Sequence, residues 1–388
     1  MKVLHVVSSN QRRGAELFAL DLVSHLDHAG IEQRVVVLHP HEQGLSFPVP
    51  THAVPPRDSK GIRQMLGFGA GPERIRSQWH PEIVQAHGGE ALKSMVRSLA
   101  LAGGPDVVYR RIGMTPSWMA GAGRKRIHGR LMRRCSAVIA VGDVVAREVI
   151  RDFDVLPERV TVIPNAVDSS RTSSRRTRDQ VRDELSLPRR ARVVLFAGAL
   201  NDEKDPLMLI KVAGLVPEAV FLVAGEGPLT SSMHRSIEEQ GLGERVRMLG
   251  TRDDIADLLV ASDALVQTSR TEGLPGILIE AGLAGVPVTA FAVGGVSEVV
   301  LDGETGALAS QRDGARLAER LSQVLNDEAM SHRMGKAALA RCSERFEMGQ
   351  VGGRYLDLYN DLLAGRGRGG DFSLDAIGSS AGRKETFN

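Results

Sequence analysis

Short runs of apolar residues alternate with longer amphipathic segments along the first half of the chain. Uninterrupted apolar runs of this length are typical of strands that are buried on both faces, and apolar residues at helical spacing separate them, as in residues 15–30. We therefore predict a parallel sheet covered by helices on both faces. The predicted strands are VLHVV (3–7), RVVVL (34–38), EIVQAH (82–87), DVVYR (106–110), AVIAVG (137–142) and VTVIP (160–164).

The same alternation restarts after a polar interruption. Residues 169–180, SSRTSSRRTRDQ, are basic and have no apolar period, which indicates a linker. The second half is thus predicted to be another parallel α/β unit. Its predicted strands are RVVLFAG (192–198), AVFLVAG (219–225), RVRMLG (245–250), DALVQTS (263–269) and VPVTAF (286–291).

The predicted fold is therefore α/β, with two Rossmann-like doubly wound domains that face each other across a cleft. A length of 388 residues agrees with two domains, because one core rarely grows so large. Ligands of such sheets bind at the carboxyl ends of the strands, which meet in the cleft. The predicted parts are an N-terminal domain (1–168), a linker (169–190), a C-terminal domain (191–345), a helix returning to the first domain (346–363) and a disordered glycine-rich tail (364–388).

Composition narrows the function classes. The chain is 42% hydrophobic and 25% charged with a net charge of +2, which is typical of a soluble globular protein and gives no sign of a nucleic-acid partner. Two cysteines, Cys135 and Cys342, cannot form a disulfide framework and favour a reducing compartment. No apolar run approaches the length of a membrane span. We expect a cytoplasmic protein whose membrane contact, if it has any, is peripheral and at the inner membrane surface.

Residues 270–290, RTEGLPGILIEAGLAGVPVTA, combine a helix start with two carboxylates. Pro275 suits the first turn of a helix, and Gly285 followed by a proline ends it, so we predict a helix over about 275–284. Its N-terminus would face the cleft, and the free amides of Gly276, Ile277 and Leu278 would form an anion site.

The two carboxylates, Glu272 and Glu280, have two physical interpretations. Each could complement the positive end of the helix dipole, or accept hydrogen bonds from the diol of a nucleotide ribose. The residues themselves do not decide between these.

The spacing of the two glutamates, with seven residues between them, resembles the E-x7-E signature of glycosyltransferase family 4. The resemblance covers about residues 1–363 because further motifs match in order. It implies the GT-B fold and a retaining enzyme that uses a nucleotide sugar. The matching motifs are the Gly-Ala-Glu turn (14–16), VTVIPNAVD (160–168), FAGALNDEKDP (196–206), VAGEGP (223–228), VRMLGTRDDI (246–255) and VGGVSEVVLDGETG (293–306).

The resemblance implies a donor site around the predicted helix start. Lys204 and the helix amides would hold the diphosphate, Glu280 the ribose, and Glu272 the sugar or the phosphates. Glu272 and Lys204 are therefore the implied catalytic residues. The further donor-site residues are Gly14, which would let the first helix approach the diphosphate, Gly250, Thr251 and Arg252 near the base, and Gly198, Gly273, Leu274, Gly276, Ile277 and Leu278.

Two departures from the family pattern matter. The family usually has an arginine where this chain has Ala199, and Arg270 and Arg13 are candidate substitutes. The family also often has a histidine after the strand DVVYR, where this chain has YRRIGMTP. We name His87, Arg110 and Arg111 as acceptor-side candidates, although a lone histidine is more often structural.

The implied reaction moves a hexose-type sugar from a nucleoside diphosphate, with UDP favoured over GDP, to an acceptor hydroxyl. No other cofactor and no metal are expected, since the DFD sequence (152–154) fits a solvated turn better than a metal motif. The acceptor could be a lipid-linked glycan, a polysaccharide or a small molecule, and loops 40–75 and 109–120 should select it.

Two alternative functions remain, a GT-B epimerase and a non-catalytic nucleotide-sugar-binding protein. An NAD dehydrogenase is not favoured, because the chain lacks the G-x-G-x-x-G motif of such enzymes.

Residues 124–134, RKRIHGRLMRR, form a strongly basic segment. It is either a solvated helix face or a surface for anionic lipid or a lipid-diphosphate acceptor. Few aromatic residues accompany it, which argues against single-stranded nucleic acid.

Overall fold

A computed structural model describes residues 1–54, 70–95, 99, 104–115 and 121–365. These residues form two parallel sheets of seven and six strands, with helices between successive strands. The predicted pair of doubly wound α/β units is therefore confirmed. The predicted tail beyond residue 365, and parts of loops 40–75 and 109–120, lie outside the described residues.

The first sheet is ordered β3-β2-β1-β4-β5-β6-β7. Its central strands read as continuous apolar runs because helices cover both faces, and Val3, Leu4 and Val6 of the first strand are fully buried. The strands are Lys2–Ser9 (β1), Glu32–His39 (β2), Thr51–Ala53 (β3), Ile83–His87 (β4), Asp106–Arg111 (β5), Ala137–Ala140 (β6) and Val160–Val162 (β7). The helices are Gly14–His28 (α1), Ala70–Trp79 (α2), Gly89–Ser94 (α3), Ala122–Met132 (α4) and Asp143–Phe153 (α5).

The second sheet is ordered β10-β9-β8-β11-β12-β13. Its strands are Arg192–Ala197 (β8), Ala219–Ala224 (β9), Val246–Gly250 (β10), Ala264–Gln267 (β11), Val288–Phe291 (β12) and Gly306–Ala309 (β13). The helices are Arg178–Glu184 (α6), Pro206–Leu215 (α7), Thr230–Glu239 (α8), Ile255–Ala261 (α9), Gly276–Leu283 (α10), Val296–Val299 (α11), Gly314–Asn326 (α12), Glu328–Arg345 (α13) and Met348–Leu363 (α14).

The strand order reverses between β1 and β4 in the first sheet, and between β8 and β11 in the second. Loops that leave neighbouring strands on opposite sides of such a point open a crevice at their carboxyl ends. Gly14 begins α1 shortly after β1, His87 ends β4, and the loops after β8 and β11 carry Lys204 and Glu272 respectively. The topology thus brings predicted site residues of both sheets to the crevice edges.

The segment 169–190, predicted as a linker, contains a 3-10 turn at Ser169–Thr172 and helix α6. Thr177 begins α6 with a capping box formed with Gln180. Arg178 and Arg182 of α6 both pair with Asp263, at 2.6 and 2.9 Å. The basic residues that look like a linker in the sequence therefore bind carboxylates of the second unit, and these carboxylates are distant in the chain.

Helix α14 leaves the second unit and packs on α1 of the first. Tyr355 and Tyr359 are fully buried there, and the Tyr359 hydroxyl donates a 2.9 Å hydrogen bond to Gln85 Oε1. A second contact between the units is polar, since the Glu298 carboxylate accepts hydrogen bonds from the amides of Asp143 and Val144 at 2.9 and 3.1 Å. Glu298 thereby satisfies free amides at the start of α5 from the opposite unit.

Candidate active site

Helix α10 begins at Gly276, and Pro275 is the extended N-cap residue before it. The amides of Gly276 and Ile277 lie in the first turn, where the helix itself offers no acceptor. Leu278 differs, because its amide donates to Pro275 O at 3.2 Å. The prediction that the Leu278 amide is free was therefore wrong: the chain tightens into a turn right after Pro275, and this turn uses that donor.

Lys204 and Glu272 form an ion pair at the edge of the second sheet. Lys204 Nζ donates to Glu272 Oε1 at 2.6 Å, and Gln267 Nε2 donates to the same oxygen. Lys204 is presented by the loop between β8 and α7, and Glu272 by the loop between β11 and α10. The Glu272 side chain is only 8% exposed, so its charge is held in place by Lys204 and Gln267.

The loop around Glu272 is packed too closely for larger residues at three glycines. An added Cβ at Gly294, whose φ is +52°, would collide with Glu272 O, and one at Gly295 would collide with Gly273 O. A Cβ at Gly273 would collide with Ile112 O of the first unit. The glycines let three backbone segments from both units converge beside the start of α10.

A chain of hydrogen bonds connects the first sheet to the same loop. Arg110 Nη2 donates to Asn165 Oδ1 at 2.7 Å, and Asn165 Nδ2 donates to Leu274 O at 3.1 Å. Arg110 is 1% exposed, and its guanidinium carbon lies 3.5 Å from the centre of the Phe18 ring. Burial lowers the pKa of Arg110, while Tyr355 and Glu16 counteract this effect.

Glu280 lies deeper along α10 and faces a charged cluster at the junction of the units. Arg171 Nη2 lies 3.8 Å from Glu280 Oε1 and 2.9 Å from Asp21 Oδ2 of α1. Burial raises the pKa of Glu280, and Arg171 counteracts this. Burial also raises the pKa of Asp21, from 3.8 to about 6. Arg171 thus lies between two carboxyl groups from different units.

The remaining predicted donor-site residues lie at the ends of strands β8 and β10 and at the start of α1. Gly198 and Gly250 have φ of +158° and +67°, a range that favours glycine. Thr251 is exposed, and Arg252 is turned toward Asp254, which accepts from Arg252 Nε at 2.7 Å. An added Cβ at Gly14 would meet open space, so packing does not require a glycine there.

The acceptor-side candidates are buried against protein groups. His87 is 3% exposed and shares a 3.1 Å hydrogen bond with His5, and burial lowers the pKa of both rings, that of His5 to about 4. Arg111 donates to Thr115 Oγ1 at 2.9 Å and to Glu148 Oε2 at 3.2 Å. Both histidines are therefore neutral at pH 7, and Arg111 has its own carboxylate partner.

The two candidate substitutes for the arginine missing at position 199 differ, since one is paired with a carboxylate and the other is exposed. Arg270 Nε donates to Asp205 Oδ2 at 2.8 Å, and this carboxylate raises the pKa of Arg270. Arg13 is the exposed N-cap residue of α1. In the DFD sequence, Asp152 is paired with Arg151 and Lys125.

Sequence reasoning missed Asn165, Gln267 and Arg171 at the site, and Glu298 at the contact between the units. Gln267 carries a detectable signal, because a polar side chain ends an apolar strand pattern there. Asn165 lies within the quoted VTVIPNAVD motif, but nothing local shows that it bridges two units.

Among the described residues, no group of three His, Cys, Asp or Glu side chains is arranged to hold a metal. No helix in the described ranges is long and apolar enough to cross a membrane.

Two parallel α/β units whose loops converge on a helix N-terminus, a lysine and a pair of glutamates define a GT-B protein. Two family models match the chain: Glycosyltransferase Family 4 over residues 12–171 and Glycosyl transferases group 1 over residues 177–341. The chain belongs to the family 4 glycosyltransferases.

Two curated relatives are about a quarter identical to this chain over the aligned residues. N-acetyl-alpha-D-glucosaminyl L-malate synthase from Bacillus anthracis is 28% identical over 207 residues, which are 53% of this chain and 54% of that protein. D-inositol 3-phosphate glycosyltransferase from Corynebacterium aurimucosum is 26% identical over 271 residues, 66% of this chain and 63% of that protein. The chain thus spans less than two thirds of the length of either relative.

A solved structure shares the fold over almost the whole chain. The crystal structure of Anabaena HepE in complex with UDP and glucose superposes with a TM-score of 0.82 and 22% identity, covering 93% of this chain and 100% of that one. At this identity the likeness shows the fold.

Proposed function

We propose that the protein transfers a hexose-type sugar from a nucleoside diphosphate sugar to an acceptor hydroxyl, with retention of configuration. The observation that carries the proposal is the Lys204–Glu272 ion pair beside the first turn of α10, where the amides of Gly276 and Ile277 have no helical acceptor. A diphosphate leaving group develops negative charge as the glycosidic bond breaks. Fixed amides and an ammonium stabilise such charge in the transition state.

Each residue has a distinct part in this reaction. Lys204 and the amides of Gly276 and Ile277 bind the diphosphate, and Glu272 positions Lys204 and contacts the donor sugar. Glu280 accepts hydrogen bonds from the ribose hydroxyls. No side chain acts as a nucleophile: the acceptor attacks from the face that the diphosphate leaves, and a departing phosphate oxygen takes the acceptor proton.

We propose UDP as the nucleoside diphosphate. The fold neighbour HepE is described in complex with UDP and glucose, which supports this choice. The base would lie near Gly250, Thr251 and Arg252, the segment that follows β10. Because Arg252 is turned toward Asp254, the backbone groups of this segment and the exposed Thr251 are the ones available to a base.

We propose further that residues 1–168 bind the acceptor and residues 191–345 bind the donor. Helix α4 on the first unit exposes Arg126 and Arg130 together with Ile127, which is 61% exposed. A basic surface with a protruding apolar residue suits an anionic lipid surface or a lipid-diphosphate acceptor. Unpaired Cys135 and Cys342 support a reducing compartment, the cytoplasmic side of such a membrane.

Thermal-shift measurements with UDP-sugars and GDP-sugars test the donor, followed by assay of nucleoside diphosphate release with and without an acceptor alcohol. We expect a UDP-sugar to raise the unfolding temperature, and UDP release to depend on acceptor. NMR of the product should show the anomeric configuration of the donor. An epimerised sugar without acceptor would identify an epimerase instead, and no stabilisation by any nucleotide sugar would overturn the proposal.

A further inference from the structure

We propose that Arg110 is a buried countercharge for the donor diphosphate, a positioning residue that acts through Asn165 and the Leu274 carbonyl rather than by direct contact. The inference rests on the proposed function, since it concerns how the same donor site gains positive charge. It gives Arg110 a different role from that of an acceptor-side contact.

The first observation is the isolation of the Arg110 charge. The side chain is 1% exposed, and no carboxylate of the described residues forms an ion pair with it. Its Nε and Nη1 have no hydrogen-bond partner in the described part of the chain. A guanidinium keeps its proton even when buried, so this is a buried cation without a carboxylate partner, and its other close neighbours are the Phe18 ring and Tyr355.

The carboxyl group of Glu16 compensates this cation only weakly. Glu16 raises the pKa of Arg110, but it is not within ion-pair distance and accepts a 3.1 Å hydrogen bond from Ser9 instead. Burial raises the pKa of Glu16 itself. The Glu16 carboxyl group therefore ionises less readily than an exposed carboxyl group does.

The second observation is the direction of the hydrogen bond that Arg110 Nη2 donates. Its acceptor is Asn165 Oδ1, and the other end of the Asn165 amide donates to Leu274 O. Leu274 lies two residues before α10, and a Cβ added at Gly276 would lie 3.3 Å from Asn165 Nδ2. Two polar groups thus connect the guanidinium to the backbone that would bind the diphosphate.

The neighbouring residue shows the contrast. Arg111 follows Arg110 on β5, so its side chain points to the opposite face of the sheet. Its partner is Glu148 at 3.2 Å, a conventional buried ion pair. One arginine of this pair of neighbours has a counterion within the protein and the other has none.

A buried cation without a partner opposes folding, and its cost falls when an anion binds nearby. Charges interact over a longer distance inside a protein than in water because the effective dielectric constant is lower. The buried charge of Arg110 lowers the free energy of unfolding. A bound diphosphate offsets this cost, and the charge therefore favours donor binding. This places a positive charge at the diphosphate from the opposite unit, whereas position 199 carries alanine.

Isothermal titration of Arg110→Gln, Arg110→Lys and Arg111→Gln with UDP, UMP and uridine tests the proposal. We expect Arg110→Gln to weaken UDP binding about tenfold, UMP less, and uridine hardly at all, because the lost interaction scales with ligand charge. Arg110→Lys should retain most of the UDP affinity because it retains the charge. Arg111→Gln should lower the unfolding temperature and leave the preference for UDP over uridine unchanged.

The unfolding temperature separates this role from a structural one. Arg110→Gln should keep or raise the unfolding temperature of the ligand-free protein, since it removes an unpaired buried charge. Equal losses for UDP and uridine, or equal defects in Arg110→Gln and Arg110→Lys, would overturn the inference and leave the proposed function standing. If the wild-type protein bound neither UDP nor GDP, the proposed function itself would fail.

Discussion

Lys204 Nζ lies 2.6 Å from Glu272 Oε1, and this oxygen also accepts a hydrogen bond from Gln267. The ion pair joins two loops that leave neighbouring strands, β8 and β11. A diphosphate that binds at the start of α10 would attract the lysine that Glu272 already positions.

The first prediction concerns this pair. Lys204→Ala and Glu272→Ala should each lower kcat for sugar transfer by about 10²–10³-fold, the range found when one preorganised group that stabilises developing charge is removed. The double variant should lose little more than either single variant, because the two residues act as one unit. Initial rates of acceptor-dependent nucleoside diphosphate release measure this.

Lys211→Ala is the matched control, because Lys211 is an exposed lysine on α7, the helix that follows the Lys204 loop. Its rate should equal that of the wild type. Rates of Lys204→Ala within about threefold of the control, a difference of less than 1 kcal/mol, would remove Lys204 from the catalytic machinery.

The second prediction concerns Glu280. Glu280→Ala should abolish most transfer while the protein stays folded, because the donor loses the carboxylate that accepts from its ribose. Nucleotide affinity should fall by about 10–100-fold, as expected for hydrogen bonds to a charged group. Titration with UDP and with 2′,3′-dideoxy-UDP measures this.

The dideoxy nucleotide identifies the contact. It should bind the wild type weakly, and it should bind Glu280→Ala with about the same affinity as UDP does. If Glu280→Ala still preferred UDP to its dideoxy analogue as strongly as the wild type does, the ribose would be held elsewhere.

The third prediction is a pH dependence of stability that originates at Asp21. Burial raises its pKa from 3.8 to about 6, against the opposing effects of Arg171 and of the hydrogen bond from the Asp168 amide. Since the folded pKa lies above the unfolded one, Asp21 contributes stability that is fully present below about pH 4 and is lost as the pH rises through about 6.

Relative to Asp21→Asn, the wild type should therefore lose about 2.5 kcal/mol of unfolding free energy between pH 4 and pH 7, at roughly 1.4 kcal/mol for each unit of pKa difference. Urea unfolding of both proteins across this range measures the difference. Asp27→Asn, at an exposed position on the same helix, should show no such slope relative to the wild type. A flat difference for Asp21→Asn would contradict the prediction.

The fourth prediction concerns the exposed face of α4. The wild type should bind vesicles containing anionic phospholipid, bind neutral phosphatidylcholine vesicles far more weakly, and dissociate as salt is added. Replacing Arg126 and Arg130 by Ser, or Ile127 by Ser, should reduce binding without changing the unfolding temperature, because all three are exposed. Co-sedimentation measures this, and equal, negligible binding to both vesicle types would exclude membrane contact by this face.

The alternation of apolar runs and helical segments was sufficient to predict both parallel units, because strands buried on both faces must be apolar throughout. It also located the start of α10 to within one residue, since Pro275 and Gly285 act on the local backbone. It failed at Leu278, whose amide is used by a turn that sequence periodicity does not reveal. It also gave no sign that α6 would order residues 178–184 against the second unit, because the carboxylates involved lie about eighty positions away.

The sequence by itself determined the class of fold, the bounds of helix α10, and the spacing of Glu272 and Glu280, all of which depend on local backbone preferences and on which residues avoid water. Only the tertiary structure decided which charges have partners. Arg110 and Arg111 are adjacent and chemically identical, yet one pairs with Glu148 and the other meets Asn165, 55 positions away. The physical reason is that opposite faces of one strand enter different surroundings, and those surroundings are assembled from segments distant in the chain.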